Sequence, residues 1–427
     1  MKADQIVTNI GQLVTCSSDG SPKRGAAMRD VGIIRNGAVA IAEGKFVGIG
    51  PRAEIEASYS AKESIDAGGK VVCPGFVDPH THIVFAGDRL DEFELKIQGA
   101  EYLEILEKGG GIISTVRKTR EASLETLVEQ ARQRLDKMLA CGTTTAEIKT
   151  GYGLDTETEL KMLRVIEELD RTHPIDIVPT FLPAHAIPPE FKGNAGGYVE
   201  LICEEMLPEA WSWYGTSAFA EKGIPFFADI FCERNTFDVD QTRRILETAS
   251  RLGFGLKAHV DQFTNLGGSD LAISLGAASI DHLDTISDEE VSALSSSDTV
   301  GIVIPTENFN AGKTKYADAR RMIYSGCAVA ISTDYNPGSA PCPSQPMAMA
   351  IACRYQKLLP SEALNAATIN ATFGLGIQSE YGSIEPDKVA DLLILDTVDY
   401  RQMIYEFGGN LVDRVIKRGK TVRNAKG

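Results

Sequence analysis

Short apolar runs rich in β-branched residues recur through the middle of the chain, and amphipathic stretches with helical periodicity separate them. There are eight such runs, at approximately 71–77, 143–149, 175–182, 227–232, 254–259, 277–282, 300–304 and 327–333. Strands that alternate with helices are typical of parallel βα units, and eight is the strand number of a closed barrel of this kind. The pattern therefore predicts an α/β protein built around a (β/α)8 TIM-type barrel.

The two ends of the chain follow a different pattern. Residues 1–70 contain short β-like runs separated by glycine and asparagine turn signals, and 390–396 and 411–417 are of the same type. Because chain termini often lie close together, we expect the two ends to meet in one small β-sandwich domain. The predicted division is residues 1–73 plus 377–427 for this discontinuous domain and residues 74–376 for the barrel.

The charge balance of the chain argues against two classes of binding partner, nucleic acids and membranes. The chain of 427 residues carries 43 basic and 59 acidic side chains, a net charge of -16 that repels phosphate backbones and anionic lipids. We therefore expect no nucleic-acid and no membrane partner. Eight cysteines without a CxxC pair, and no apolar run of about 18 residues, favour a cytoplasmic protein, and a homodimer is the default assembly.

Polar residues with catalytic potential follow the predicted strands. In a barrel such positions converge at the C-terminal mouth, where these folds carry their chemistry. Five of the six histidines are among them, and only His173 is not. The residues, in chain order, are His80, His82, Lys149, His185, Glu233, His259, His282, Glu307 and Asp334.

The segment PGFVDPHTH at 74–82 contains the strongest local signal for a metal site. Two histidines that are two residues apart on an extended segment point the same way, and both imidazoles can bind one ion. His259 and Asp334 complete a set of four nitrogen and oxygen ligands suited to zinc or iron. Such an ion lowers the pKa of bound water from about 16 towards 7, which makes hydroxide available near neutral pH.

Asp334 and His282 can share the proton transfers that hydrolysis needs. The alternative for His282 is a structural role at a strand end, bonded to Asp281 or Asp284. Lys149 leaves a further choice open. A carbamylated Lys149 would bridge two metals with His185 on the second ion, whereas an unmodified Lys149 would pair with a carboxylate such as Glu147 or Glu159.

Arg89 follows the first strand, in FAGDRLDEF. A guanidinium binds a carboxylate through two hydrogen bonds, so an arginine at the mouth of an acidic protein suggests an anionic substrate. The alternative is a surface ion pair with Asp88, Asp91 or Glu92. Other loops of the same face offer hydrogen bonds to a small polar ring, although each residue alone is also typical of a turn: Tyr152, Asn336, Gly338 and Ser339.

These segments resemble the amidohydrolase superfamily and, within it, the imidazolonepropionases. The resemblance runs through nearly the whole chain, including PGFVDPHTH, EIKTGYGLD, FLPAHAIPPEFKG, KAHVDQFTNLGG and STDYNPGSAP. It implies hydrolysis of 4-imidazolone-5-propanoate to N-formimidoyl-L-glutamate, a step of histidine degradation. The substrate is then a small molecule with a carboxylate, and the cofactor is one divalent metal per chain, zinc or iron.

The resemblance also implies roles for individual residues. The metal ligands are His80, His82, His259 and Asp334, and the catalytic residues are His282, Asp334 and Gln262. The substrate contacts are Arg89, Tyr102, Tyr152, His185, Gln262, Asn336, Gly338 and Ser339. A second metal is disfavoured despite Lys149, because the chain resembles the mononuclear branch.

Two features depart from the family pattern. Position 262 is Gln where some relatives carry Glu, so this side chain can orient substrate or water but cannot act as a general base. The tract at 211–227, WSWYGTSAFAEKGIPFF, looks longer than usual and fits either a surface insertion or a subunit contact. Two other functions remain open: a different cyclic amidohydrolase or deaminase, and a scaffold without catalysis.

Overall fold

The structure is a computed structural model that describes residues 1–99 and 110–425. Its strands are β1 (Lys2–Val14), β2 (Ile33–Ala42), β3 (Lys45–Pro51), β4 (Ser60–Asp66), β5 (Val71–Pro74), β6 (Phe76–Asp78), β7 (Thr143–Lys149), β8 (Asp176–Ala184), β9 (Phe227–Cys232), β10 (Gly255–Val260), β11 (Ser279–His282), β12 (Val300–Val303), β13 (Val329–Ile331), β14 (Leu392–Leu395), β15 (Val412–Lys417) and β16 (Lys420–Asn424).

The described α-helices are Arg52–Ser58, Leu90–Ile97, Ile112–Glu121, Leu124–Ala140, Thr156–Thr172, Ala195–Leu201, Leu207–Tyr214, Ala218–Glu221, Val239–Leu252, Gly268–Ser274, Asp288–Ser295, Pro305–Asn310, Ala319–Tyr324, Gln345–Tyr355, Pro360–Ala366, Ile369–Phe373 and Gln402–Tyr405. Short 3-10 segments occur at Gly25–Arg29 and Pro189–Phe191, and a π-helical turn at Ile202–Met206. Within the described ranges, no helix combines the length and apolarity that a membrane span requires.

Strands β6 to β13 form the predicted barrel. They pair in chain order and in parallel, and a parallel bridge between Thr81 and Tyr335 joins the first strand's end to the last. Asp78 reinforces this seam because it accepts hydrogen bonds from the hydroxyls of Ser332, at 2.5 Å, and Thr333. The (β/α)8 barrel expected from the sequence is therefore confirmed.

The remaining strands form one mixed sheet from both chain ends, in the order β16-β15-β14-β5-β1-β2-β3, with β4 parallel to β1. Its core joins the two ends directly, since Leu13 and Val72 from the first part pack in one cluster with Leu392 and Ile416 from the last. A small β-sandwich domain made by both ends was expected, and the structure brings both ends together in this one mixed sheet. The exact domain boundaries at 73/74 and 376/377 remain a prediction.

The first predicted run, 71–77, divides between the two sheets. β5 pairs with β1 and β14 of the terminal sheet, whereas β6 begins the barrel beside β7. Gly75 lies at the change of sheet, where an added Cβ would fall 2.1 Å from the hydroxyl of Thr144. Both strands are fully buried, so their hydrophobic pattern is continuous and could not reveal the break.

A buried lysine connects the terminal sheet to the base of the barrel. Lys417 donates to the carbonyl of Thr144 at 2.9 Å and to Asp176 at 2.6 Å, and it also pairs with Asp391. Thr144 and Asp176 lie at the starts of β7 and β8, at the end of the barrel opposite its mouth. The sheet therefore contacts the base of the barrel and leaves its mouth to the loops.

The aromatic tract at 211–227 packs onto the outside of the barrel. The rings of Trp211 and Phe254 lie 4.9 Å apart, and Tyr214 stacks on Phe226 at 5.0 Å. Phe219 is fully buried. The tract is thus an integral part of the outer layer.

Candidate active site

Four predicted ligands converge at the mouth of the barrel. The Nε2 atom of His82 lies 3.1 Å from that of His80 and 3.3 Å from that of His259. One oxygen of Asp334 lies 3.5 Å from the Nε2 atoms of both His80 and His82. All four side chains are nearly or fully buried.

Neighbouring carboxylates orient two of these rings with Nε2 directed inward. His80 Nδ1 lies 2.6 Å from Asp281, and His259 Nδ1 lies 3.1 Å from Asp229. A carboxylate only accepts hydrogen bonds, so each Nδ1 carries the proton and each Nε2 presents a lone pair. Lone pairs and a carboxylate oxygen that face one another at these distances repel unless a cation lies between them.

The charge states also fit a cation. Burial lowers the pKa of His80 and His82 well below their usual range, which keeps these imidazoles neutral and able to act as ligands. Burial raises the pKa of Asp334 well above its usual range, and a positive charge beside this carboxyl is what would restore its ionised form. Three imidazoles and one carboxylate are a donor set that both zinc and iron accept.

Lys149 lies behind the candidate ligands. Its ammonium contacts Glu147 at 2.9 Å and Asp229 at 2.7 Å, and Asp281 lies 3.7 Å away. Burial lowers the pKa of Lys149, but these carboxylates outweigh burial and raise the pKa above the usual range. A carbamate here would place a negative charge against this carboxylate cluster, so the geometry favours the unmodified, paired lysine. The pairing partner is Glu147 and not Glu159, which instead accepts three backbone N–H groups, of Gly151, Gly153 and Leu154.

His282 lies at the end of β11 next to the ligand group. Its ring centroid is 5.3 Å from that of His259 and 5.4 Å from that of His80. The backbone of His282 has φ 84°, and Asp334 has φ 49°, both in the left-handed region. Non-glycine residues held there carry strain that often accompanies functional sites. Among the described residues, Nδ1 of His282 bonds to neither Asp281 nor Asp284, the two alternative partners, and Asp281 bonds to His80 instead.

His185 and Tyr152 form one wall beside the ligands. His185 stacks on His82 with ring centroids 4.9 Å apart, and its Nδ1 lies 3.0 Å from the carbonyl of Gly151. Burial lowers the pKa of His185 to about 3, so this ring is neutral. The ring of Tyr152 lies 5.4 Å from that of His185. His185 is not part of the compact group formed by His80, His82 and His259.

Arg89 lies against the loop that follows Asp334. Its Nε donates to Glu92 at 2.7 Å, and Nη2 pairs with the same carboxylate. A Cβ on Gly338 would fall 2.0 Å from Arg89 Nη1, which explains glycine at this position. The alternative partner Glu92 is therefore present, but the arginine side chain is only 14% exposed and lines a cavity, unlike a surface ion pair.

Asn336 organises its own loop. Its side-chain oxygen accepts from the backbone N–H groups of Gly338 and Ser339, each at 2.8 Å, while its amide donates to the carbonyl of Asp334 and to the Ser339 hydroxyl. The turn role considered from the sequence is thus observed. Asn336 and Ser339 nevertheless face the same cavity as Arg89.

Gln262 follows β10 on a loop that Glu233 holds in place. Glu233 accepts the N–H groups of Phe263 at 2.9 Å and Thr264 at 3.0 Å, together with the Thr264 hydroxyl. The remaining predicted contact, Tyr102, lies outside the described residues. A cavity of about 680 Å³ is lined by His82, Arg89, Tyr152, His185, His259, Gln262, His282, Asp334, Asn336 and Ser339, among others.

The sequence did not identify the carboxylates behind the ligands. Asp229 is an acidic residue inside the otherwise apolar strand FADIFC, and Asp281 lies in SIDH; both are buried. A buried carboxylate within an apolar strand is unusual without a partner, and this signal was available. The partner histidine could not be read from it, since 201 residues separate Asp281 from His80.

Comparisons with known proteins agree with this architecture. The sequence profile of the Amidohydrolase family matches residues 233–422. The solved guanine deaminase of E. coli superposes with a TM-score of 0.74 at 16% identity over 98% of this chain and 99% of its own. A zinc-bound adenosine deaminase from Xanthomonas campestris gives 0.72 at 17% identity, covering 98% and 93%. At these identities the likeness concerns the fold.

Relatives of much higher identity cover the full length. The imidazolonepropionase of Chloroflexus aggregans is 51% identical over 98% of both chains, and that of Herpetosiphon aurantiacus is 50% identical over 99% of this chain and 97% of its own. The barrel and its converging histidines define the class as an amidohydrolase, an enzyme that hydrolyses a carbon–nitrogen bond of a cyclic amide. Within that class, the chain belongs to the imidazolonepropionase family.

Proposed function

We propose that this chain hydrolyses 4-imidazolone-5-propanoate to N-formimidoyl-L-glutamate, a step of histidine degradation. The observation that carries the proposal is the convergence of three imidazoles and the Asp334 carboxylate in a cavity that also contains Arg89. The imidazoles and Asp334 suit ring opening by an activated water, and Arg89 suits a substrate with a carboxylate. The family membership agrees with both.

His80, His82, His259 and Asp334 would hold one divalent ion, zinc or iron. When bound, such an ion supplies the acidity that makes hydroxide available from water at neutral pH. The chain contributes the fixed ring orientations of His80 and His259 through Asp281 and Asp229, and burial lowers the pKa of His80 and His82, which keeps these two imidazoles neutral.

Proton transfer falls to Asp334 and His282. As water adds to the ring carbonyl carbon, Asp334 takes its proton, and the bond between that carbon and the ring nitrogen then breaks. His282 takes that proton from Asp334 and delivers it to the departing nitrogen, so both groups return to their starting state and a carboxylate and a formimidoyl group result. Gln262 cannot ionise and orients substrate by hydrogen bonds only.

Arg89 would bind the propionate group. Its Nε and Nη2 contact Glu92, while Nη1 lies at the Gly338 side of the cavity and was not used in those contacts. Tyr152, His185 and Ser339 border the same space and would contact the ring or the product. Asn336 and Gly338 support this wall from their loop, and Tyr102 is proposed as a helper near the propionate.

The test is a spectrophotometric assay of imidazolone propionate ring opening, together with metal analysis per chain. We expect turnover and about one zinc or iron per chain. Arg89→Ala should raise KM at least about tenfold with little change in kcat, because a charge-assisted pair is worth about 1.5–3 kcal/mol. Lys118→Ala, which removes a cation that bonds to the backbone of Asp88, is the control and should leave KM unchanged.

Other functions give other results in the same assay. If Arg89→Ala left KM unchanged, the substrate would lack a carboxylate, and a different cyclic amidohydrolase or a deaminase would replace our proposal. A preparation without metal and without hydrolysis would instead indicate a scaffold. We also propose that the protein is cytoplasmic, because all eight cysteines are free thiols, as a reducing compartment would keep them. We propose further that it is a homodimer, and sedimentation measures this assembly.

A further inference from the structure

A second group of potential ligand atoms includes His282 but none of the four side chains of the proposed metal centre. One ring nitrogen of His282 and carboxylate oxygens of Asp284 and Glu307 lie within 4.8 Å of one another. Asp284 follows β11, and Glu307 lies in the first turn of helix Pro305–Asn310, which follows β12. The side chains of His282 and Glu307 are buried.

Two atoms of this group lack a hydrogen-bond partner among the described residues. They are Nδ1 of His282 and Oε2 of Glu307, and both are inaccessible to solvent. The group also brings the carboxyl groups of Asp284 and Glu307 close together, where two negative charges would repel each other. Unsatisfied lone pairs and two neighbouring carboxylates together favour a bound cation.

We propose that His282, Asp284 and Glu307 form a second site for a divalent cation such as Zn²⁺, filled after the metal centre, and that its occupation inhibits the enzyme. One imidazole nitrogen and two carboxylate oxygens are ligands that zinc accepts. Ligands about 2 Å from zinc lie roughly 3–4 Å from each other, so small side-chain rotations bring the set into range.

Lys313 competes with a cation for this site. Its ammonium lies 2.9 Å from Glu307 Oε1 and 3.3 Å from Asn308 Oδ1, and 4.6 Å from the ring centroid of Phe263. The Lys313 side chain is 31% exposed on a flexible stem, so its ammonium can move into solvent. Lys313 therefore holds the carboxylate at low zinc, and zinc displaces the ammonium at higher concentration.

Occupation of this site would stop proton delivery. A cation bound to His282 takes a lone pair and holds the ring, so the imidazole no longer carries a proton to the departing nitrogen. The metal centre keeps its own four ligands. This inhibitory consequence rests on the proposed function, whereas cation binding at the second site does not.

Equilibrium dialysis of the enzyme preloaded with one equivalent of Zn²⁺, without substrate, tests the binding. We expect the unmodified chain to take up a second equivalent. Glu307→Gln should weaken that equivalent at least about tenfold, and Lys313→Gln should tighten it several-fold by removing the competing ammonium. Glu289→Gln, at an exposed carboxylate of helix Asp288–Ser295, is the control and should change nothing.

A second measurement links binding to inhibition. Zinc above the first equivalent should lower kcat at least about tenfold in the unmodified enzyme, over the concentrations at which the second equivalent binds, and Glu307→Gln should shift this inhibition to higher zinc. The proposal is overturned if no second equivalent binds up to millimolar zinc, or if Glu307→Gln and Asp284→Asn both keep it unchanged. A second equivalent in a chain that does not open the imidazolone ring would support the site and refute the proposed function.

Discussion

At the scale of single residues, each candidate ligand depends on a partner distant in sequence. Three Nε2 atoms face one another because Asp281 and Asp229 hold two of the rings by Nδ1, and Lys149 holds both of those carboxylates. The candidate ligands could be predicted because they follow predicted strands. Their supporting carboxylates could not, because strand pairing and register decide which buried acid meets which histidine.

His282→Ala tests the proposed proton donor. We expect the variant to keep about one metal per chain and to lose at least about a hundredfold in kcat, the usual contribution of a general acid or base. Metal analysis and steady-state kinetics on the same preparation measure both quantities. Loss of the metal instead would make His282 a ligand, contrary to our assignment.

Asp281→Asn tests the support behind His80. The amide no longer holds the ring with a full charge, and we expect metal affinity to fall about 10- to 100-fold, as is typical for such outer partners. Competition with a chelator of known affinity measures the change. Asp298→Asn, at an exposed loop carboxylate, is the matched control, and an equal loss there would show that the effect is not local.

At the scale of elements, the loops after the strands carry the chemistry, while strand ends fix their starting points. The second, fourth and other central runs predicted from the sequence coincide with β7, β9 and their neighbours within about two residues, because buried parallel strands are continuous apolar runs. The prediction of a single strand over 71–77 was wrong because nothing in the hydrophobicity of this run distinguishes β5 from β6. The loop contacts, such as Glu233 with the segment after β10, depend on tertiary proximity and carry no local signal.

Glu233→Gln tests whether this loop contact positions Gln262. The amide can accept fewer hydrogen bonds from Phe263 and Thr264, so the loop should loosen, with a several-fold loss in kcat/KM and unchanged metal content. Glu247→Gln on helix Val239–Leu252, whose side chain is 43% exposed, provides the comparison. If kcat/KM stayed at the unmodified value, the Glu233 contact would be structural only.

At the scale of the whole molecule, metal binding and folding are coupled. His80 and His82 follow β6, His259 belongs to β10 and Asp334 follows β13, so one ion would connect distant parts of the barrel. A ligand that binds only the folded state at a thousand times its Kd adds about 4 kcal/mol to the free energy of unfolding.

Removal of the metal should therefore lower the thermal stability of the chain. We expect chelation to reduce Tm by several degrees, and one equivalent of zinc to restore it, as followed by scanning calorimetry. His82→Ala should begin at the lower Tm and respond to neither treatment. An unmodified chain with the same Tm before and after chelation would speak against an ion at this position.

The seam between the first and last barrel strands has a consequence for biosynthesis. Thr81 cannot form its bridge until Tyr335 has been synthesised. Likewise, β5 cannot pair with β14, which begins at Leu392, until that strand has been synthesised. On the ribosome, the ring of strands therefore cannot close before Tyr335 has emerged, and the terminal sheet cannot form in full before β14 to β16 have emerged. The proposed metal centre is likewise incomplete until Asp334, its last ligand in chain order, has been synthesised.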